Sequence, residues 1–167
     1  MDKTIFLVRH AKAEEGSARF PDFERELISA GIMQAARMGK KLAEVGIRID
    51  QFITSPAPRA AETARIFAEQ LAFPVEQIVS KKGLYDGGPR AYLETINTLP
   101  EDIQTVVLFG HNPDITFFGE YLTKQANGGS MDKASWVQLR VLPTFTWAEV
   151  GSKTCEFVTY QSPKQTD

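Results

Sequence analysis

The 167-residue chain holds a single cysteine, Cys155, and only two histidines, His10 and His111. One cysteine excludes an intramolecular disulfide framework and fits a reducing compartment, so a cytoplasmic location is expected. No apolar run approaches the roughly 20 residues of a membrane-spanning helix. Arg9 interrupts the first apolar stretch, so no secretory leader is read there and no membrane contact is expected. The formal net charge is -2, which supplies no broad basic surface for nucleic acid and no acidic tail. The chain carries no G-x-x-x-x-G-K-[ST] loop and no convincing dinucleotide fingerprint, so no nucleotide cofactor is expected. The histidines lack a local ligand spacing such as H-x-x-x-H, which argues against a metal site. Gln161 stands where an arginine would have to follow Cys155 for cysteine-based phosphate chemistry. No internal repeat is present.

What remains is an ordinary soluble composition, 43% hydrophobic and 24% charged. The length suits one well-buried core, read here as a single domain over residues 1–160 with residues 161–167 as a flexible tail. Strands and helices alternate. "IFLV" (Ile5 to Val8) reads as a strand buried on both faces, and "TVVLFG" (Thr105 to Gly110) repeats that signature. "FITS" (Phe52 to Ser55) reads as a strand and "VEQIV" (Val75 to Val79) as another. Helical spacing runs from Ser29 toward Gly46, through "SPAPRAAETARIFAEQL" with prolines confined to its start, and over "RAYLETINTL" and "DITFFGEYL". "WVQLRV" and "CEFVTY" read as late strands, the last antiparallel at an edge. The "QANGGSMDK" loop is expected to be mobile. This alternation predicts a three-layer α/β/α sandwich around a mostly parallel sheet.

In such sheets the ligand crevice lies beyond the carboxyl ends of the strands. Arg9 and His10 sit at one such end, and His111 directly follows another. Ser55 ends a third strand, and Arg59 falls in the first turn of the helix after it, where free N–H groups favour an anion. Each residue alone has an ordinary explanation: a hydrogen-bonded histidine, or a solvated arginine. Both histidines and two arginines at one crevice edge point instead to a phosphate pocket.

The motifs carry a resemblance. "LVRHAKAE", "TSPAPRAAETARIFAEQL" and "LFGHNPDI" together resemble, in order, the signature segments of the histidine phosphatase superfamily, the phosphoglycerate mutase-like fold. The short length, "LYD" (Leu84 to Asp86) and "GHNP" favour its small phosphohistidine phosphatase branch. Ala11 departs from the glycine common in the wider family, and the chain beyond Ile115 has no firm match. The resemblance implies that His10 is the nucleophile that becomes phosphorylated, that Arg9 and Arg59 are phosphate ligands and that His111 is the second histidine of the pocket. Asp86 stands about where many members carry a proton donor, although beside Gly87 and Gly88 it also reads as a turn residue. Cations flanking His10 would keep its imidazole unprotonated and nucleophilic. The implied activity is metal-independent removal of phosphate through a phosphohistidine intermediate. The expected partner is a phosphorylated protein such as a histidine-phosphotransfer domain. Alternatives are a small phosphorylated substrate, or a non-catalytic phosphate-binding module on the same fold. Oligomeric state is left open.

Overall fold

The computed structural model describes residues 2–16, 21–123 and 129–164. Its first strand, β1 (Thr4–Arg9), holds Ile5, Phe6, Leu7 and Val8, each 0% exposed, as a strand covered on both faces requires. There follow α1 (Ser29–Ala43), β2 (Gln51–Thr54), α2 (Pro58–Gln70), β3 (Val79–Ser80), α3 (Gly83–Asp86) and α4 (Gly88–Asn97). The chain then forms β4 (Thr105–Gly110), α5 (Asp114–Leu122), β5 (Trp136–Val141) and β6 (Cys155–Gln161). The sheet order is β3-β2-β4-β1-β5-β6. From β3 to β1 the neighbours run parallel, while β5 and β6 are antiparallel additions.

Alternation along the buried strands sends side chains to two separate cores. Ile5, Leu7, Val106 and Leu108 pack with Leu84 of α3, Tyr92 and Ile96 of α4, and Ile115 and Phe118 of α5. Phe6, Val8, Val107 and Phe109 pack with Ala35 and Met38 of α1 and with Ala64 and Phe67 of α2. The result is the expected α/β/α sandwich.

Two elements differ from the sequence reading. "VEQIV" is mostly a 3-10 turn, Val75–Gln77, opened by Pro74, whose carbonyl accepts the Gln77 N–H at 3.0 Å. Only Val79–Ser80 pairs with β2. The antiparallel part of the sheet is also larger than expected, because β5 joins β6 in it. The chain re-enters the sheet at the carboxyl end of β1, where the Ala134 N–H meets the carbonyls of Arg9 and His10 at 3.1 Å. From there it can only run back down that strand. Met131 of the loop expected to be mobile is buried, and residues 125–128 of that loop lie outside the described residues. So do residues 165–167 of the expected tail, while Gln161 belongs to β6.

Candidate active site

β1 and β4 are parallel neighbours in a register that sets Arg9 opposite Gly110. The next residues are His10 and His111, so the two imidazoles leave the sheet side by side, with ring centroids 5.2 Å apart. The His10 N–H also bonds to the Gly110 carbonyl at 3.1 Å, which locks the two strand ends together. Arg59 arrives from the first turn of α2, a helix opened by Pro58 at its N-terminus. Thr63, one turn further on, accepts the Ala11 N–H at 3.1 Å and donates to the Arg59 carbonyl at 2.7 Å. That hydroxyl ties the loop after β1 to the helix that carries the arginine.

The resulting depression, about 440 Å³, is lined by Arg9, His10, Arg59 and His111. Asp22, Arg25, Tyr85, Asp114 and Lys133 complete much of its wall. Asp86 is not among the lining residues; its exposed carboxylate lies 3.9 Å from the Lys82 ammonium. The residue before it, Tyr85, faces the pocket instead, its ring edge-on to His111 at 5.4 Å.

His10 Nδ1 is 2.8 Å from the Ala11 carbonyl. A carbonyl only accepts, so in the neutral ring Nδ1 bears the proton and Nε2 keeps the lone pair. Burial above all, with the charges of Arg59 and Arg9 and the neighbouring His111 adding to it, lowers the His10 pKa to about 3. The imidazole is therefore neutral near pH 7, and desolvation does more than the flanking cations to keep it so. His111 is lowered to about 4, again by burial first and by Arg59 second.

The arginines are anchored without being saturated. Arg9 donates to the Met131 carbonyl at 2.7 Å. Arg59, 3% exposed, donates to the Asp22 carbonyl at 2.6 Å and to its carboxylate at 2.9 Å. Tyr85 and Arg25 hold the same carboxylate at 2.9 Å each. Although burial works against its charge, these bonds and the Arg59 charge keep Asp22 ionised, with a pKa of about 2. Asp114 shifts the other way, raised by burial.

One observation sets this depression apart from the rest of the molecule. Among the described residues, the buried side-chain polar atoms without a hydrogen-bond partner are Arg9 Nε, Arg59 Nε and His111 Nδ1. All three belong to residues that line the same pocket. Native interiors rarely leave such groups unpaired, and a cluster of them calls for a ligand. Two are arginine nitrogens, which can only donate, so that ligand accepts hydrogen bonds. No three His, Cys, Asp or Glu side chains gather to hold a metal ion among the described residues.

The structure thus brings together His10, His111, Arg9 and Arg59 and leaves Asp86 outside. Sequence reasoning missed Asp22, Tyr85, Asp114 and Lys133. Asp114 and Tyr85 had a local signal, since they adjoin "GHNP" and lie within "LYD". Asp22 had none, because its contact with Arg59 spans 37 positions of chain.

The profile of the histidine phosphatase superfamily (branch 1) matches residues 5–84. Over that segment, the first half of the chain, the sequence is similar to the histidine phosphatase superfamily. Among curated proteins, it is 36% identical over 86 residues to the mitochondrial serine/threonine-protein phosphatase Pgam5 of Drosophila yakuba. That match takes in 51% of this chain but only 29% of the relative. The fold matches a SixA protein of Agrobacterium tumefaciens, named as a candidate phosphohistidine phosphatase, with a TM-score of 0.81 at 23% identity. That superposition covers 98% of this chain and 99% of the other. A SixA protein histidine phosphatase in complex with tungstate matches with a TM-score of 0.79 at 20% identity, covering 96% and 97%. The profile match and the fold therefore agree with the resemblance read from the motifs. No described helix is long and apolar enough to cross a membrane.

Proposed function

We propose that this protein is a metal-independent phosphatase of the small phosphohistidine phosphatase branch, acting on phosphohistidine of a protein partner. His10 Nε2 attacks phosphorus, a P–Nε2 bond forms, and the bond to the leaving nitrogen breaks with its electron pair. That nitrogen leaves as a neutral imidazole, because the ring can be protonated before cleavage. Water then attacks the phosphorylated His10, releasing inorganic phosphate and returning the free imidazole. Arg9 and Arg59 hold the phosphoryl oxygens, since a planar guanidinium matches two of them at once. Positioning and charge stabilisation are most of what this transfer asks of a protein.

The observation that carries the reading is the cluster of unpaired nitrogens around a neutral His10 whose Nδ1 is already committed to Ala11. Trapping during turnover should label His10 with a phosphoryl group that acid removes and alkali spares. Substituting His10→Ala should abolish both label and turnover without unfolding the chain. Label on a serine, or turnover surviving that change, would overturn the assignment.

Asp114 lends support to a second reading, hydrolysis of a phosphoester. It is a pocket carboxyl moved toward the protonated form a leaving alkoxide would need. The name of the Drosophila relative, a serine/threonine-protein phosphatase, points the same way. Assaying a phosphohistidine protein beside a phosphoserine peptide separates the two readings.

A further inference from the structure

Ser55 is 0% exposed at the end of β2, and its hydroxyl oxygen lies 2.8 Å from His111 Nε2. The same oxygen accepts the Ala57 N–H at 3.2 Å, across the turn that opens α2. The proton between Ser55 and His111 can be arranged in two ways. If Nε2 held it and donated to Ser55, the hydroxyl hydrogen would lack an acceptor among the described residues. His111 Nδ1 would then be a bare buried acceptor, leaving two groups unpaired. If the hydroxyl donates to Nε2 instead, Ser55 is fully paired and the only orphan is an Nδ1–H. Leaving a buried polar group unmatched costs about 1–3 kcal/mol, so the second arrangement wins.

The choice decides what the pocket offers a ligand. With Nδ1 protonated, the three orphaned nitrogens of Arg9, Arg59 and His111 are all donors, a set of one kind suited to an anion. With Nε2 protonated, one would be a lone pair turned against the phosphoryl oxygens. We propose that Ser55 is a positioning residue: its hydroxyl fixes His111 as the Nδ1–H tautomer and so reserves that N–H for a bound phosphoryl group.

The proposal deepens the reading of this pocket as a phosphoryl site, yet the tautomer belongs to the resting protein. It can therefore fail while turnover stands, and hold where turnover fails.

With only two histidines in the chain, ring-nitrogen NMR resolves both, and a His10→Gln sample assigns them. The unsubstituted protein should show His111 neutral with the proton on Nδ1. Ser55→Ala should shift it toward the Nε2–H form and weaken orthovanadate binding by about tenfold, the loss of one well-made hydrogen bond to charge. Ser55→Thr, which keeps the hydroxyl, should hold the Nδ1–H form. An Nε2–H signal for His111 in the unsubstituted protein would overturn the proposal, and that measurement needs no variant to fold. Unchanged tautomer and vanadate affinity in a folded Ser55→Ala protein would overturn it as well.

Discussion

At the scale of single residues, the open chemical question is which carboxyl, if any, hands a proton to the leaving group. Three acids lie near the site, and their surroundings separate them. Asp22 is held ionised by Arg25, Tyr85 and Arg59, so it has no proton to give near neutral pH. Asp86 points away, toward Lys82. Asp114 lines the pocket and is shifted toward protonation by burial. An ester's alkoxide is a poor leaving group and needs an acid, whereas the nitrogen of a phosphoramidate can be protonated beforehand. Asp114→Asn should therefore lower kcat/KM on a phosphoester at least about tenfold, the equivalent of 1.4 kcal/mol, and leave a phosphoramidate nearly unchanged. Asp86→Asn should change neither rate by more than about twofold, as expected of a surface pair. The ratio of the losses in each variant is the measurement. Equal losses for Asp114→Asn on both substrates would make it a general acid for both, and a loss confined to Asp86→Asn would return the donor assignment there.

At the scale of elements, the second histidine depends on a strand end that has no room to spare. Tyr92 of α4 is 0% exposed; its hydroxyl donates to the Leu84 carbonyl at 2.9 Å and accepts the His111 N–H at 3.1 Å. A Cβ on Gly110 would stand 2.0 Å from that oxygen and 2.8 Å from the ring. Gly110→Ala must push the tyrosine aside, breaking both bonds and shifting His111 relative to His10. The expected result is a stability loss of about 1–3 kcal/mol in urea unfolding, with turnover reduced further than stability alone explains. Adding Tyr92→Phe to it should relieve part of the clash, and stability unchanged by Gly110→Ala would mean that α4 yields freely. This dependence also marks where the sequence was legible. β1 and β4 announce themselves because burial on both faces demands unbroken apolar runs, and the histidines after them inherit a known position. β3 is two residues long, half-buried at best, and preceded by a proline-led turn, so no periodicity could mark it. Asp22 reaches the pocket from a short 3-10 turn and Tyr85 from the single turn of α3, both too short to leave a periodic trace.

At the scale of the whole molecule, charge is unevenly spread. The chain carries a net -2 with a pI near 5.8, yet the candidate site gathers cations. Arg9, Arg25, Arg59 and Lys133 face Asp22 and Asp114 across the pocket. A neighbouring depression of about 270 Å³ shares Arg9 and Lys133 and adds Lys12 and Lys164, with Asp132 as its carboxylate. Lys164 is partly offset, its ammonium 3.3 Å from that carboxylate. A locally positive face on a weakly acidic protein attracts an anionic phosphosubstrate and repels little of it elsewhere. Salt acts on this long-range attraction but hardly on contacts inside the pocket, because the Debye length is about 8 Å at 0.15 M. We expect kcat/KM to fall several-fold between about 0.01 and 0.15 M salt, through KM rather than kcat. Lys12 and Lys164 lie outside the phosphoryl pocket itself, so replacing both by glutamate should flatten that salt dependence while kcat holds. A kcat/KM indifferent to salt in the unsubstituted protein would mean that the cations serve only the bound phosphoryl group. A kcat that collapses in the double variant would draw the second depression into the catalytic site.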